Sequence, residues 1–485
     1  MIFTVRLFPE ITLKSKPVRQ RWTRQLTENL RLLGRRIHEE CKVIQDWDRL
    51  EVRVPNASPE DEELFVDLLG RVPGIANFSL VRAHPFETVH DIYERTYEAC
   101  ASELAGKTFC VRAKRTGEHS FTSIEVERYV GGGLNQNTEA AGVKLKGADV
   151  TVNIEIKGEL CYIVEQKYPG LGGFPLGTQE HVLSLVSGGF DSTVASYMMM
   201  RRGLRTHYCF FNLGGKAHEF GVKEIAFYLW NRYAASHRVK FFTVPFEPVV
   251  AEILEKIGPA NMGVVLKRMM LRAADRIAER GEIQAMVTGE AIAQVSSQTI
   301  PNLAAIDEVC ERLVLRPLIV THKPDIIRLS REIGAEDFSA NIPEYCGVIS
   351  VKPSSKVNRK KLLAQEADFD MQILEDAIAS TRMQPIDAVM EDLQQTEYQV
   401  EEVAEPQAKD AIIDIRHPTE AENKALQTAS EVLVIPFYRL SSAFPKLDPA
   451  RRYLLYCDRG VMSNLHAAHL QDAGLRNVAV YRPAK

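Results

Sequence analysis

The apolar run His181-Val182-Leu183-Ser184-Leu185-Val186 is followed at once by Ser187-Gly188-Gly189-Phe190-Asp191-Ser192 and then by Thr193-Val194-Ala195-Ser196-Tyr197-Met198-Met199-Met200. The first segment reads as a buried parallel strand and the last as a helix. The six residues between them therefore form a strand-to-helix loop, which limits the surrounding fold to an alternating α/β sheet. Backbone N–H groups and the helix dipole favour an anion at such a place. Glycines let the backbone approach that anion closely, and the serines add hydroxyl donors. The spacing is not that of a Gly-x-x-x-x-Gly-Lys-Ser/Thr loop, which the chain lacks.

The same alternation continues around the loop. Thr206–Phe211, Val239–Val244 and Ile283–Thr288 read as further strands, with helices near 191–202, 217–236 and 261–279. The expected unit, 177–365, is a doubly wound parallel sheet. Its ligand belongs at the carboxyl ends of the strands, where Gly289-Glu290 and Gln298 also fall.

At 485 residues the chain is too long for one core, and two to four domains are expected. Residues 1–75 read as a small α+β unit: a strand at Ile2–Leu7, an amphipathic helix from Pro17 to Leu33, a strand around Val52 and a helix at Glu60–Leu69. Residues 76–170 follow, with a basic strand at Phe109–Arg115, a helix from Ser123 ending at Gly131-Gly132-Gly133, and a hairpin around Lys157-Gly158-Glu159. Pro169–Pro175 reads as a rigid linker. The acidic stretch 366–404 reads as a helical or flexible tether, and 405–485 as a small α/β unit with strands at Ala411–Arg416, Val432–Pro436 and Tyr453–Tyr456.

The net charge of −4 argues against a uniformly basic nucleic-acid binder. Positive charge is nevertheless concentrated before Arg36, and Arg112, Lys114, Arg115 and Arg128 form a second basic group that reads as an RNA surface or a solvated face. No apolar run approaches the roughly 18 residues of a membrane span, and a cytoplasmic location is expected. The eight cysteines show no Cys-x-x-Cys pair, so neither a zinc site nor a secreted disulfide framework is indicated. Cys457 stands where the Tyr453 strand gives way to a helix near Ser463, with Arg459 beside it; converging amides there favour a thiolate. Cys346, in Ile342-Pro343-Glu344-Tyr345-Cys346-Gly347, lies just beyond the sheet, and the other six cysteines read as structural.

Ser-Gly-Gly-x-Asp-Ser resembles the loop of the ATP pyrophosphatases (PP-loop enzymes), which adenylate a carbonyl oxygen. The Cys457–Met462 segment, with Asp414-Ile415-Arg416, resembles rhodanese-type sulfurtransferases. In this order, after a ferredoxin-like unit and a THUMP RNA-binding domain, the pieces resemble the 4-thiouridine synthetases that also serve thiamine biosynthesis.

The resemblance implies a set of roles. ATP, with Mg2+, is held by Leu185, Val186, Ser187, Gly188, Gly189 and Ser192, with Lys267, Gly289, Gln298 and Lys323. Asp191 assists the metal–phosphate arrangement and adenylation. Uridine O4 of tRNA is adenylated. A cysteine desulfurase loads sulfur on Cys457 as a persulfide, and the sulfur attacks C4 either directly or as released hydrosulfide; on the direct route Cys346 resolves the bond through a disulfide with Cys457. A thiamine-pathway sulfur-carrier protein is a second acceptor. Motif position favours the ligand role for Lys267, Gln298 and Lys323 over that of solvated surface groups. Another PP-loop tRNA thiolase or an amidotransferase is the enzymatic alternative, and a non-catalytic RNA-binding protein is the alternative from another class.

Overall fold

In a computed structural model the described residues are 1–45, 49–213, 215–342, 353–390, 400–416, 421, 425–435, 440, 443–457, 461–472 and 474–483. The chain divides into two compact units: Met1–Thr178 with Arg201–Gly203, and Gln179–Met200 with Leu204–Lys485.

The first unit is built on one eight-stranded sheet. Its strands are β1 (Ile2–Leu7), β2 (Lys42–Gln45), β3 (Arg49–Arg53), β4 (Ile75–Pro85), β5 (Thr108–Thr116), β6 (Gly142–Val143), β7 (Val150–Lys157) and β8 (Leu160–Gly172), in the order β2-β3-β1-β4-β8-β7-β5-β6. The sequence suggested separate units meeting at 75/76. Instead β4 starts at Ile75 and hydrogen-bonds to β1 on one side and β8 on the other, so a single sheet runs through both halves. Two apolar cores line it, one around Phe3, Leu26 and Phe65 and one around Phe109, Val130 and Ile154.

Helix ends follow the local chemistry. Thr122 and Glu125 form a capping box at the Ser123–Asn137 helix, as Ser58 and Asp61 do at Pro59–Arg71. Gly131–Gly133 do not end the Ser123 helix, which runs on to Asn137. Gly133 is needed inside it because a Cβ there would lie 2.4 Å from the Tyr93 ring. The expected linker at Pro169–Pro175 is largely the end of β8, with Pro169 opposite Asn77 and Gly172 opposite Ile75. Gly170 permits this, since its Cβ would fall 2.3 Å from the Ile75 carbonyl oxygen.

The second unit holds two sheets. The larger joins β9 (His181–Leu185), β10 (Arg205–Asn212), β11 (Lys240–Pro245), β12 (Ala285–Val287), β13 (Leu313–Leu315) and β14 (Arg382–Pro385), in the order β13-β12-β9-β10-β11-β14. All pairs are parallel except β11 with β14. The chain winds outward from β9 through β10 to β11, then returns to place β12 on the other side of β9. That reversal is the switch point at which open α/β sheets bind ligands.

The acidic stretch is not a tether over residues 366–390. Glu366 is buried and paired with Arg268 at 2.7 Å and Arg272 at 3.2 Å. Leu374, Ala377 and Ile378 of the Met371–Ala379 helix join the main core, and β14 closes the sheet edge. Apolar residues between the acids drive this burial, which net charge conceals. The smaller sheet contains β15 (Glu402–Val403), β16 (Ala411–Asp414), β17 (Glu431–Val434), β18 (Tyr453–Tyr456) and β19 (Val478–Tyr481), all parallel, in the order β15-β19-β18-β16-β17.

Candidate active site

The Ser187–Ser192 loop leaves the end of β9 and enters the Phe190–Arg201 helix. Gly188 has φ +82°, and a Cβ on it would lie 2.5 Å from Ile342 Cδ1, so only glycine makes this turn without strain. The Ser192 hydroxyl donates to the Gly189 carbonyl and accepts from the Ser187 N–H, both at 3.2 Å. These bonds fix the loop before any ligand arrives.

A cavity of about 600 Å³ opens beside the loop. Of the residues expected at a nucleotide site, Leu185, Val186, Ser187, Asp191 and Ser192 line it from the β9 side. Lys267, Gly289 and Gln298 line it from the Met262–Arg280 helix and from beyond β12. Gly289 is required by crowding: a Cβ there would stand 2.5 Å from the Asp191 backbone carbon. Gln298 is buried, and its Oε1 has no hydrogen-bond partner among the described residues. A buried acceptor left unpaired is costly, which makes it a ready contact for a ligand donor.

Lys323 is not part of the cavity lining, yet its Nζ reaches Asp191 Oδ1 at 2.8 Å. Asp191 Oδ2 accepts from Gln294 Nε2 at 2.7 Å. Gln294 follows Ala293, whose φ of +61° is unusual for a side-chain-bearing residue. Neither Gln294 nor its strained neighbour stood out in the sequence. The available signal was position only, four residues before Gln298 in the same loop.

Glu290 was also not assigned a role from sequence. It receives Lys267 Nζ at 2.7 Å, Arg316 Nε at 2.8 Å and the Thr288 hydroxyl at 3.0 Å. Burial pushes its carboxyl up, but Lys267 and Arg316 outweigh burial and hold it below the usual carboxylate range. The buried carboxylate thus stays charged and aims the Lys267 ammonium at the cavity edge. His218, a further lining residue, donates from Nε2 to the Ser187 carbonyl at 3.1 Å, and burial lowers its pKa.

The second candidate centre of this unit is Cys457. It follows β18 directly and is partly exposed. The Ser463 N–H, in the first turn of the Val461–Asp472 helix, donates to its Sγ at 3.4 Å, and the Ser463 hydroxyl lies at 3.4 Å as well. The sulfur is thus held by a backbone donor in the first turn of a helix and by a neighbouring hydroxyl. Arg416 and Asp414 form a buried pair at 2.6 Å, with the guanidinium 5.1 Å from the Tyr456 ring centre, next in sequence to Cys457.

Most of the remaining cysteines are chemically quiet. Burial pushes the thiols of Cys41, Cys161 and Cys310 up to about 11 and that of Cys100 to about 12, while Cys209 is fully buried and also raised. Cys346 and Arg459 lie outside the described residues.

The basic group in the first unit does not form one face. Arg112 and Lys114 are exposed on one side of β5, and Arg115 points to the other. Arg115 Nη1 donates to the Gly117 carbonyl and lies 3.2 Å from His119 Nδ1, while Arg112 Nη2 donates to the Leu145 carbonyl at 2.6 Å. Arg128 is exposed on the Ser123–Asn137 helix.

Among the described residues no group of three or more His, Cys, Asp or Glu is arranged to hold a metal ion, and no helix is long and apolar enough to cross a membrane.

Four family models match the chain: a ThiI ferredoxin-like domain at 2–79, a THUMP domain at 86–164, the thiamine biosynthesis protein ThiI at 177–371 and a rhodanese-like domain at 399–483. A tRNA sulfurtransferase of Saccharophagus degradans is 63% identical over 484 residues, covering 100% of both chains. One from Shewanella loihica is 54% identical over 485 residues, again covering 100% of both. A solved 4-thiouridine synthetase, crystallised with RNA and bound ATP, superposes with a TM-score of 0.66 at 25% identity, over 79% of this chain and 99% of that one. Full-length identity at this level, with all four domain matches in order, shows that the chain belongs to the tRNA sulfurtransferase family.

Proposed function

We propose that this protein transfers sulfur to uridine in tRNA, forming 4-thiouridine at position 8, with ATP consumed to activate the base. The observation that carries the reading is the pairing, within one unit, of an anion-binding loop and cavity with a thiol held at a helix N-terminus. The relatives' names and the ATP- and RNA-bound neighbour support it.

The cavity suits ATP: the unpaired Gln298 Oε1 offers an acceptor, and Gly289 leaves room that a Cβ would fill. The loop glycines and the helix N-terminus would face phosphate, and Lys267 would add positive charge. Asp191, freed from Lys323 and Gln294, would help hold a Mg2+, since such an ion usually takes one or two protein carboxylates. Bound Mg2+ would neutralise charge developing on the pyrophosphate.

In this reading uridine O4 attacks the α-phosphorus and pyrophosphate departs. A cysteine desulfurase has by then placed a persulfide on Cys457. Its terminal sulfur attacks C4, and AMP leaves with the former O4. The Cys346 thiolate attacks Cys457 Sγ, giving the Cys346–Cys457 disulfide and leaving sulfur on the base. A thiol reductant then restores both thiols. The same persulfide would serve a thiamine-pathway carrier protein. Lys114, Arg112 and Arg128 would contribute to the tRNA surface. A protein acting on tRNA would work in the cytoplasm.

Nucleoside analysis of tRNA from a deletion strain tests the proposal. The 4-thiouridine peak should vanish and return with the wild-type gene but not with Cys457→Ala. An unchanged peak in the deletion strain would refute it.

A further inference from the structure

One helix of the second unit contacts the Ser187–Ser192 loop on one face and, on another, the helix that follows Cys457. In Gly215–Leu229, His218 bonds the Ser187 carbonyl, and Val222 packs beside Gly188. Gly221 sits against Ile342, four residues before Cys346 in sequence, and a Cβ on it would lie 3.0 Å from Ile342 Cγ1. A different face of the same helix meets the helix that begins just after Cys457. Phe220 packs edge-on against the His466 ring, with centroids 5.4 Å apart. His466 Nε2 lies 3.1 Å from Glu224 Oε1, and the two side chains are only 3% and 10% exposed. Phe220 and Glu224 are one turn apart, so they share a face. His466 stands three residues beyond Ser463, whose N–H holds Cys457 Sγ.

The pair is unusual in its burial. Both side chains are polar, and each loses its hydration when the two helices meet. Buried polar pairs of this kind commonly fix which of several apolar arrangements is adopted. The two atoms stand at ion-pair distance without hydrogen-bond geometry, so the contact is set by charge and burial together with the Phe220 ring.

We propose that Gly215–Leu229 is the docking face on which the Cys457-bearing domain seats for sulfur delivery, with Phe220, Glu224 and His466 as its latch. The inference rests on Cys457 being the sulfur carrier. His466 and Glu224 are positioning residues: neither touches substrate, and each acts by setting where the thiol stands relative to the PP-loop. The latch accounts for how a chain with two separate chemical centres keeps them in one working geometry.

The test uses the full-length protein with His466→Ala, Glu224→Gln and the double variant. Three quantities are read on each: persulfide loading on Cys457 by a cysteine desulfurase, ATP-dependent pyrophosphate release, and 4-thiouridine formation. Loading and pyrophosphate release should stay at wild-type levels. Thiolation should fall roughly tenfold or more in each single variant, and the double should be no worse than either. Amide exchange in Gly215–Leu229 should rise in His466→Ala, a readout independent of what carries the sulfur. Wild-type thiolation in both single variants, additive losses in the double, or unchanged amide exchange would overturn the latch. Cys457→Ala is the separate control: if it still thiolates tRNA, the sulfur-carrier reading fails, while the exchange result still judges the docking.

Discussion

The Ser187–Ser192 loop and the segment after Tyr456 use the same backbone device. Each leaves the carboxyl end of a central parallel strand, β9 between β10 and β12 or β18 between β16 and β19, and enters a helix N-terminus. The positive end of a helix dipole serves both. What differs is the atom presented to it. The first loop offers glycines and hydroxyls and leaves the anion to a ligand. The second supplies its own acceptor, the Cys457 sulfur, held by the Ser463 N–H. One architecture thus leaves its donors open to a ligand or turns them on a thiol, according to whether a side chain occupies the focus of the amides.

Exchanging the two failures gives the largest expected effect. Cys457→Ala should abolish persulfide loading and 4-thiouridine formation, on the order of 10³-fold or more, yet retain pyrophosphate release. Asp191→Ala should do the reverse, losing pyrophosphate release while Cys457 still accepts sulfur. Equal loss of both activities in either variant would mean the two loops are not chemically separate. Assays of loading and pyrophosphate on the same preparations decide it.

Gly289→Ala asks how far the phosphate loop depends on close backbone approach. The added Cβ meets the Asp191 backbone, which cannot yield as a flexible side chain would. The expected cost is about 1–3 kcal/mol in ATP binding, read as a raised KM for ATP with persulfide loading untouched. A wild-type KM would show that the loop moves freely.

The α/β sheet beneath the first loop also carries an acid-sensitive element. His207 Nδ1 accepts from the Lys240 N–H at 2.9 Å, so Nε2 carries the proton and donates to His181 Nδ1 at 2.8 Å. Burial first, then neighbouring His181, Lys240 and Arg205, push His207 down to about 3, and burial takes His237 to about 4. A histidine with a depressed folded pKa binds fewer protons folded than unfolded. Stability is therefore fully present above about pH 6.5 and is lost as pH falls from there toward 3. Unfolding followed between pH 7 and 4 should show a loss on the order of a few kcal/mol, reduced in His207→Asn. An equal pH slope in wild type and variant would exclude His207 as the cause.

The smallest effect concerns the first unit. Lys114→Ala should weaken tRNA binding and reduce the salt slope by roughly one, while Arg115→Ala should change it less because its guanidinium already bonds Gly117. Filter binding across a salt series measures both. A larger change for Arg115 would place the RNA on the other side of β5.

Part of the candidate site was readable from local pattern. The Ser187–Ser192 loop, the strand before it and the setting of Cys457 follow from strand-to-helix contexts set by neighbouring residues in sequence, whereas Gly289 and Gln298, which line the cavity, were expected there from the family resemblance. The acidic stretch was misread because composition records charge, whereas Glu366 finds two arginines that lie more than 90 positions earlier. Gln294 and Arg316 escaped notice for the same reason: their partners are distant in the chain.

The sequence by itself determined the order of the chemical parts, their strand–loop–helix settings and the residue types at each focus. Only the tertiary structure decided that β4 unites the first two regions in one sheet, that Lys323 and Gln294 share the Asp191 carboxylate, and that His466 meets Glu224. Local elements depend on nearest-neighbour sterics and periodicity, which a linear reading contains. Long-range partners are chosen by packing and by the cost of leaving buried polar groups unpaired, and that choice is made only once the chain has closed on itself.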